Sequence, residues 1–531
     1  IVAYQQGIQN KPDTVEYSWN LAWILSQNNQ WDEAIYYYQK AKEIKPEAVS
    51  AEFSQTSKYT FIKLHSLNEA DLKFIDTSGL SIDNLKLTEQ DNTAWKEVYP
   101  KIFTYSPDMP CQEFEMPQFQ KGIFETGYLE VVCPFSGEKL KSNQSFYIYP
   151  YYEIFYRFVG SEVFYLIVGC WHSFKIGIYI PSQELIISFC DDRNDTMITW
   201  QEEQIKSLVD TFKFYNYSHG CDVKEYIDSK EPKKIAANVG GIGNIGHFFW
   251  NQVSALQALQ ESKKLNKIEA FVTGEYHYFN IIDIFPEIEA ESTIAPAFFN
   301  VKAEQLPDRV FSMCLKNNLF VFNISSLLVT ERTANRLYHR SFVECDPSFL
   351  QQVGESKRHS PLLWITLRSQ RRAWLGQVEG IANLVKELYR EYPDLGVIFD
   401  GVPAEKVNLD QILAIIPSEV KTYNALNCAI HETIVWSHAI DLFVAPYGAG
   451  LIFPCQIANK VGVYHTHKYG CRLEPFCLNP REKAVSIIPV SREAIVDVVD
   501  SAYDSPHTRN YECDWKAIYT EVVKLIKALT N

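Results

Sequence analysis

The sequence contains no CxxC pair, although it has 12 cysteines in 531 residues. Scattered cysteines in a chain of this length favour reduced thiols in a cytosolic protein over a disulfide framework. Cys133, followed by Pro-Phe-Ser-Gly, could be half of a zinc knuckle, but no second half follows it. We therefore expect a cytoplasmic protein without a metal site.

Long apolar runs and basic stripes are also missing. No run approaches the roughly 18 apolar residues that a transmembrane helix needs, so we expect no membrane span. The net charge is −15, from 50 Lys and Arg against 65 Asp and Glu. Without a compensating basic stripe, this charge argues against nucleic acid or an anionic membrane surface as the partner.

The composition is that of a large, water-soluble globular protein. Hydrophobic residues make up 46% of the chain and charged residues 22%, which is ordinary for this class. A chain of 531 residues is too long for a single core, so three or more domains are expected. The high aromatic content of 14% suggests surfaces that stack on other groups or pack with a polar edge.

Residues 16–47 fit one tetratricopeptide repeat. The matching positions are Trp19, Leu21, Ala22, Leu25, Ala34, Tyr38, Ala41 and Pro46. Pro12 precedes Pro46 by 46 − 12 = 34 positions, which is the repeat period, so residues 1–12 are interpreted as the tail of an earlier repeat. Because single repeats cannot bury their own faces, we expect further repeats before residue 1. A packing module and a groove for a polypeptide partner both remain open.

The middle and later parts of the chain differ in their pattern of apolar residues. From about 118 to 200, β-branched and aromatic segments separated by Gly and Pro predict an antiparallel β-rich insert. From 235 onward, strands alternate with helical patterns, and a second run of this kind starts at Pro361. Such alternation predicts parallel sheets covered by helices, in two successive Rossmann-like units. The fold class is therefore multidomain α/β.

A glycine loop opens the first unit. Gly241-Ile-Gly243-Asn-Ile-Gly246 follows a predicted strand and fits the dinucleotide fingerprint, with Glu269 as the candidate acidic residue. Glu269 stands at the start of its strand instead of the end, so the match is incomplete. His247 follows in the first turn of a helix, where the helix N-terminus favours the neutral imidazole that a general base requires. A locally capping or packing histidine is the other interpretation.

A second glycine turn, Tyr447-Gly448-Ala449-Gly450, follows an apolar strand in the second unit. Glycine allows a ligand to approach the backbone closely, and a strand, a glycine turn and a helix start together make an anion site. Tight packing of a helix on the sheet is the alternative explanation for the same glycines.

The two glycine motifs, together with an arginine motif between them, resemble in their order the motifs of glycosyltransferase family 61. They are Gly246-His247-Phe-Phe-Trp250, Ile365-Thr-Leu-Arg368 with Arg371 or Arg372, and Tyr447-Gly-Ala-Gly-Leu451, within roughly 235–470. The chain departs from the family at Tyr447, where the family has His. A tyrosine hydroxyl can donate a hydrogen bond to a phosphate or sugar but cannot become cationic.

The resemblance implies a GT-B-like, inverting glycosyltransferase that needs no metal and no cofactor beyond a UDP- or GDP-linked sugar. His247 would be the base that activates a hydroxyl of a protein (Ser/Thr) or glycan acceptor. The expected donor-binding residues are Arg368, Arg372, Tyr447, Gly448, Ala449, Gly450 and Glu432, and the expected acceptor-side loop contains Gly243, Asn244 and Gly246. Arginine forks suit a diphosphate leaving group where no metal neutralises it. Glu432 would accept a hydrogen bond from a ribose hydroxyl.

The implied domain order starts with a tetratricopeptide segment and a helical connector, followed by a β-rich domain. An acceptor-side Rossmann-like unit and a sugar-nucleotide-binding Rossmann-like unit complete it. The boundaries are 1–50, 51–117, 118–232, 233–360 and 361–531.

Two other functions remain open. An NAD-type oxidoreductase would use the Gly241–Gly246 loop for a dinucleotide, and it leaves the Tyr447 turn unexplained. A non-catalytic scaffold would bind a partner through the repeats and carry a degenerate transferase, and Tyr447 keeps this possibility open.

Overall fold

The structure is a computed structural model that describes most of the chain. The described residues are 1–45, 59–90, 118–169, 174–190, 201–240, 243–274, 278–290, 296–302, 306–326, 329–470, 485, 487–498 and 509–530. The predictions for Pro46, for much of the 51–117 connector and for Gly241 lie outside them. Within the described part, no helix is both long enough and apolar enough to cross a bilayer.

Three helices begin the chain: α1 (Val2–Asn10), α2 (Val15–Gln27) and α3 (Trp31–Ile44). α2 and α3 pack against each other over small side chains, since Ala22, Ala34 and Ala41 are fully buried. This is the helix pair that the alanine spacing predicts. Its assignment to the tetratricopeptide family stays a prediction.

The β-rich domain is built around a six-stranded sheet, with three short helices and a two-stranded ribbon beside it. Its elements are β1 (Thr60–Lys63), α4 (Glu69–Thr77), α5 (Ile82–Glu89), α6 (Ile123–Thr126), β2 (Leu129–Val132), β3 (Lys139–Ser142), β4 (Ser145–Ile148), β5 (Glu153–Val159), β6 (Val163–Val168), β7 (Lys175–Ile180) and β8 (Leu185–Ser188). The sheet order is β1-β8-β7-β6-β5-β4, antiparallel except for the parallel pair β1 and β8. β1 comes from the segment predicted to be mainly helical, because four residues are too few to show a strand period.

The first parallel sheet has the order β11-β10-β9-β12. It follows two helices, and its elements are α7 (Glu202–Ser218), α8 (Gly220–Asp228), β9 (Lys234–Val239), α9 (Ile245–His247), a π-helical turn (Phe248–Val253), α10 (Ser254–Glu261), β10 (Ala270–Thr273), α11 (Ile281–Ile284), α12 (Glu287–Ala290), β11 (Ala297–Asn300), α13 (Pro307–Lys316) and β12 (Leu319–Asn323).

The second parallel sheet has the order β15-β14-β13-β16-β17-β18. Its elements and the preceding helices are α14 (Glu331–Glu344), α15 (Pro347–Ser356), β13 (Leu362–Thr366), α16 (Gln377–Glu391), β14 (Gly396–Asp400), α17 (Lys406–Ile415), β15 (Lys421–Asn424), α18 (Ile430–Ala439), β16 (Leu442–Pro446), β17 (Val461–His465) and β18 (Ile487–Pro489). A hairpin and a last helix close the chain: β19 (Ile495–Val498), β20 (Asn510–Cys513) and α19 (Trp515–Thr530). Two successive parallel sheets confirm the predicted α/β class.

The β-rich sheet covers an open edge of the first parallel sheet. Ser145 Oγ accepts a hydrogen bond from Val321 N at 2.7 Å, and Tyr156 Oη donates to Val321 O at 3.1 Å. Tyr226 Oη donates to Leu319 O at 2.8 Å. These side chains satisfy the backbone groups of the edge strand β12, which would otherwise attract another chain. The insert is therefore part of the same structural unit as the first Rossmann-like sheet.

The first helices are also joined to the β-rich domain. Trp23 Nε1 donates to Tyr179 Oη at 3.2 Å. The buried ammonium of Lys213 lies 3.0 Å from a Glu184 carboxylate oxygen and 4.9 Å from the ring centre of Trp19. A buried lysine needs such an acidic partner, and the aromatic face adds a favourable cation–π contact.

The two parallel sheets share an apolar junction. The ring centres of Phe249 and Phe453 lie 6.0 Å apart at a near-perpendicular angle. Ile434, Ile452 and Ile457 of the second unit belong to the same buried cluster as Phe249 of the first. The carboxyl-end loops of both sheets are thereby brought to one place.

Candidate active site

The first glycine loop leads from β9 into a helix start. Gly240 has a φ of +77°, and its N–H donates to Gln252 Oε1 at 2.7 Å. Asn244 caps the helix, since its Oδ1 accepts from Gly246 N at 3.0 Å, whereas Gly243 is exposed. His247 therefore lies in the first turn, as the motif predicts.

The imidazole of His247 is partly buried and held from within its own helix. Its Nδ1 lies 2.7 Å from Asn251 Oδ1, and its ring centre is 6.1 Å from that of Trp250. Burial lowers the pKa of His247 to about 4, and the bond to Asn251 opposes this shift. The side chain is therefore neutral at pH 7.

Arg368 lies directly beyond the end of β13 and is fixed by two contacts. The Gln377 amide binds its backbone, accepting from Arg368 N at 3.1 Å and donating to Arg368 O at 2.9 Å. Its Nη1 donates to Tyr447 O at 3.1 Å. The guanidinium thus lies against the second glycine turn, as the resemblance implies.

Arg372 is presented by a tight turn that the C-terminal hairpin holds. Arg371 and Arg372 have φ values of +26° and +60°, and the Arg371 side chain is exposed. Ala373 N donates to Asn510 Oδ1 at 3.0 Å, and Tyr511 N donates to Ala373 O at 3.0 Å. Of the two arginines left open by the sequence, Arg372 is the one turned inward.

The two inward guanidiniums form a cationic site. Burial lowers the pKa of Arg368, as does the adjacent charge of Arg372, and burial also lowers the pKa of Arg372. The buried Nε of Arg372 has no hydrogen-bond partner. Among the residues that the structure describes, neither arginine forms an ion pair. Two neighbouring, partly buried cations without an acidic partner favour an anionic ligand.

The second glycine turn is shaped around Arg368. Gly448 has a φ of +151°, and a Cβ there would lie 2.9 Å from Arg368 Nη1. Tyr447 N donates to His465 O at 2.9 Å, and the Tyr447 ring is buried, with its centre 5.8 Å from that of Tyr464. Glycine is needed here both for the backbone angle and for the approach of the guanidinium.

The first and second glycine motifs touch each other. A Cβ built on Gly246 would lie 3.0 Å from Ala449 Cβ and 3.1 Å from Ala449 Cα. This contact joins the residue before His247 to the middle of the Tyr447–Gly450 turn. The structure therefore brings together the motifs that the sequence separates by about 200 positions.

The two predicted carboxylates have other partners. Glu432 Oε2 accepts from Ala429 N at 2.8 Å, which closes the start of its own helix α18. Glu269 accepts from Ile235 N at 2.9 Å. It lies at the amino ends of β9 and β10, opposite the carboxyl edge where such sheets bind ligands. Glu269 therefore does not occupy the ribose-binding position that the dinucleotide interpretation requires, and the ribose role of Glu432 stays a prediction.

Two further residues of this edge were missed in the sequence. His465 ends β17, with its Nδ1 2.7 Å from Tyr511 Oη; burial and the nearby Arg368 lower the pKa of His465 to about 3. Asp400 ends β14 and accepts from Thr366 Oγ1 at 3.1 Å, and burial raises the pKa of Asp400 to about 6. Each directly follows an apolar strand, which is the signal that could have identified it.

Within the described ranges, no group of three or more His, Cys, Asp or Glu side chains is placed to hold a metal ion.

Comparisons with known proteins give structural likenesses alone. No family model matches the chain, and no curated protein matches it. The similar solved structures include glycosyltransferases and UDP-sugar enzymes. A glycosyl transferase of family 9 from Veillonella parvula has a TM-score of 0.35 and 9% identity, covering 56% of this chain and 97% of its own. ADP-heptose LPS heptosyltransferase II of E. coli has a TM-score of 0.30 and 11% identity, covering 56% and 100%.

A third similar structure is the UDP-GlcNAc 2-epimerase of Methanocaldococcus jannaschii. Its TM-score is 0.26 and its identity 11%, with 56% of this chain and 99% of its own covered.

Proposed function

We propose that this chain is an inverting, metal-independent glycosyltransferase that moves a sugar from a UDP- or GDP-linked donor to a hydroxyl group. Arg368 and Arg372 bind the donor diphosphate beside the Tyr447–Gly450 turn. His247 acts as the general base on the acceptor. Glu432 accepts a hydrogen bond from a ribose hydroxyl through Oε1, since its Oε2 caps helix α18.

The contact between Gly246 and Ala449 supports this proposal most strongly. It joins a helix start that carries a neutral histidine to a turn against which the Arg368 guanidinium lies. A glycosyl transfer needs both parts, a base for the acceptor and positive charge for the leaving group. The Arg372 guanidinium adds a second positive charge to the same site.

The donor, the acceptor and His247 together account for every bond and proton in the reaction. The acceptor oxygen attacks the anomeric carbon, the bond from that carbon to the phosphate oxygen breaks, and the nucleoside diphosphate leaves with the electron pair. The acceptor proton passes to His247. Charge then develops on the leaving diphosphate, where guanidinium forks stabilise the transition state more than the ground state.

The acceptor is a protein Ser or Thr or a glycan hydroxyl. The first helices could present a polypeptide, although two tryptophans of α2 are buried and not open to a partner. Trp23 packs against the β-rich domain and α7, and Trp19 packs among the first helices and against α7. Any polypeptide would have to bind another surface of these helices.

Calorimetry with UDP, GDP and NAD tests the donor site, and transfer assays with the matching nucleotide sugars test the reaction. We expect UDP or GDP to bind and His247→Ala to lose transfer by at least about 100-fold, the range for a general base. Binding of NAD alone would favour the oxidoreductase. The absence of any nucleotide binding would favour the scaffold, and wild-type transfer rates in His247→Ala would disprove the base assignment.

A further inference from the structure

A hydrogen-bond chain behind His247 ends in a backbone carbonyl. Asn251 Nδ2 donates to Ser326 O at 2.8 Å, while Ser326 N donates to the backbone oxygen of Asn251 at 2.9 Å. Asn251 is itself 1% exposed. The asparagine is therefore clamped between the π-helical turn Phe248–Val253 and the chain that follows β12.

The donor and acceptor groups in this hydrogen-bond chain fix the direction of each hydrogen bond. A carbonyl oxygen such as Ser326 O can only accept, so the amide nitrogen of Asn251 must face it. The amide oxygen is then left facing His247 Nδ1 at 2.7 Å. Since that oxygen can only accept as well, Nδ1 must carry the hydrogen.

We propose that Asn251 is the positioning residue of the base: it holds His247 in the Nδ1–H form, so that Nε2 carries the lone pair that takes the acceptor proton. This inference rests on the proposed function for its role in transfer. The tautomer itself is a property of the unliganded protein. When Nε2 gains a proton, Nδ1 keeps its hydrogen and its bond to Asn251, so this bond does not have to reorganise during the reaction.

A purely structural Asn251 would tie its helix to Ser326 without any effect on the imidazole. Gln252 provides the matched control, because it is the next residue, equally buried at 3%, and its amide binds Gly240 N instead of His247. Gln252→Met therefore removes a neighbouring buried amide and leaves the histidine with its partner.

The first experiment measures the tautomer by ¹⁵N NMR on protein labelled at histidine, with the His247 signals assigned by their loss in His247→Gln. We expect a protonated Nδ1 and an unprotonated Nε2 in the wild type and in Gln252→Met. Asn251→Leu should show a mixture or the Nε2–H form. An Nε2–H imidazole in the wild type would overturn the proposal whether or not any sugar donor is ever found.

The second experiment measures transfer across pH. Asn251→Leu should lower kcat about 10- to 100-fold with the donor KM within about 2-fold, because the base stays in place but loses its orientation, which forfeits part of the roughly 100- to 10,000-fold that a positioned base contributes. Asn251→Asp keeps the acceptor and should move the acid limb of the kcat profile to higher pH, because a carboxylate stabilises the imidazolium. Equal losses in Asn251→Leu and Gln252→Met, with unchanged pH profiles, would overturn the role in transfer.

Discussion

At the scale of single residues, the arginine pair is the feature with the clearest energetic consequence. Burying a guanidinium without an acidic partner costs stability, and a bound anion returns it. Arg372→Met and Arg368→Met should each weaken nucleoside diphosphate binding by about 10- to 100-fold, from hydrogen bonds to charged groups worth about 1.5–3 kcal/mol. Calorimetry with UDP and GDP measures this.

The neighbouring Arg371 supplies the control, because its side chain is exposed. Arg371→Met should bind nucleotide like the wild type. The unliganded Arg372→Met protein should melt no lower than the wild type, since an unpaired buried charge has been removed. An equal loss of affinity in all three variants would show that the site only senses overall charge.

The two buried histidines predict how stability depends on pH. Their folded pKa values, about 4 for His247 and about 3 for His465, lie below the ordinary value of 6.5. The unfolded chain therefore binds more protons between pH 6.5 and 4, and the free energy of unfolding falls as pH falls through this window. Each histidine contributes a slope of up to about 1.4 kcal/mol per pH unit.

Urea unfolding at pH 7, 6 and 5 measures that slope. His465→Gln should lower the slope of the free energy of unfolding against pH by up to about 1.4 kcal/mol per pH unit, because residue 465 then no longer takes up a proton on unfolding. Replacement of the exposed His339 by Gln serves as the control. A slope in His465→Gln as steep as that of the wild type would contradict the prediction.

At the scale of elements, the touching glycine motifs can be tested by a compensating pair. Gly246→Ala places a Cβ 3.0 Å from Ala449 Cβ, so the two loops must separate by a few tenths of an ångström. Overpacking of this kind costs about 1–3 kcal/mol, and transfer should fall by up to about 10-fold, since a shift of about 1 Å at a reacting centre costs about 100-fold. Thermal melts and transfer rates measure the two effects.

The second change, Ala449→Gly, removes the clashing Cβ and should restore part of both losses, since Ala449 Cα would remain 3.1 Å away. Gly354→Ala is the control, because nothing lies within 4 Å of a Cβ there. If Ala449→Gly failed to relieve Gly246→Ala in either measurement, the contact would not be what couples the loops.

The elements also show what sequence patterns can and cannot predict. The alternation of strands and helices after Pro361 could be predicted, because apolar runs and helical spacing are local properties of the sequence, and the structure has β13, α16 and β14 in that order there. The hold of β20 on Arg372 joins Ala373 to Asn510, and no local pattern links positions that far apart. The bond from His247 to Asn251 spans only four positions, but it lies across a π-helical turn, and the regular helix period does not predict such a turn.

At the scale of the whole molecule, the first helices behave as part of the β-rich domain. Removing residues 1–45 would expose the apolar face around Tyr179 and Phe212 and take away the Trp19 and Trp23 rings that lie beside the buried Lys213. We expect this deletion to lower the melting temperature by several degrees and to increase binding of an apolar dye.

Removal of residues 1–10 alone is the matched comparison, because α1 has Ile8 as its one buried residue. That shorter deletion should change the melting temperature much less. Equal melting temperatures for the wild type and both deletions would mean that the helices are an independent appendage.

The shared core at Phe249 and Phe453 has a consequence for building hybrid enzymes. A chimera joined at 360/361 would exchange the second sheet as if it were a separate part. It would set Phe249 against foreign side chains in place of Ile452, Phe453 and Ile457. A hybrid that changes donor preference should therefore take residues 449–457 from the same parent as the first unit. Only the neighbouring carboxyl ends of the strands in the second sheet should come from the other parent.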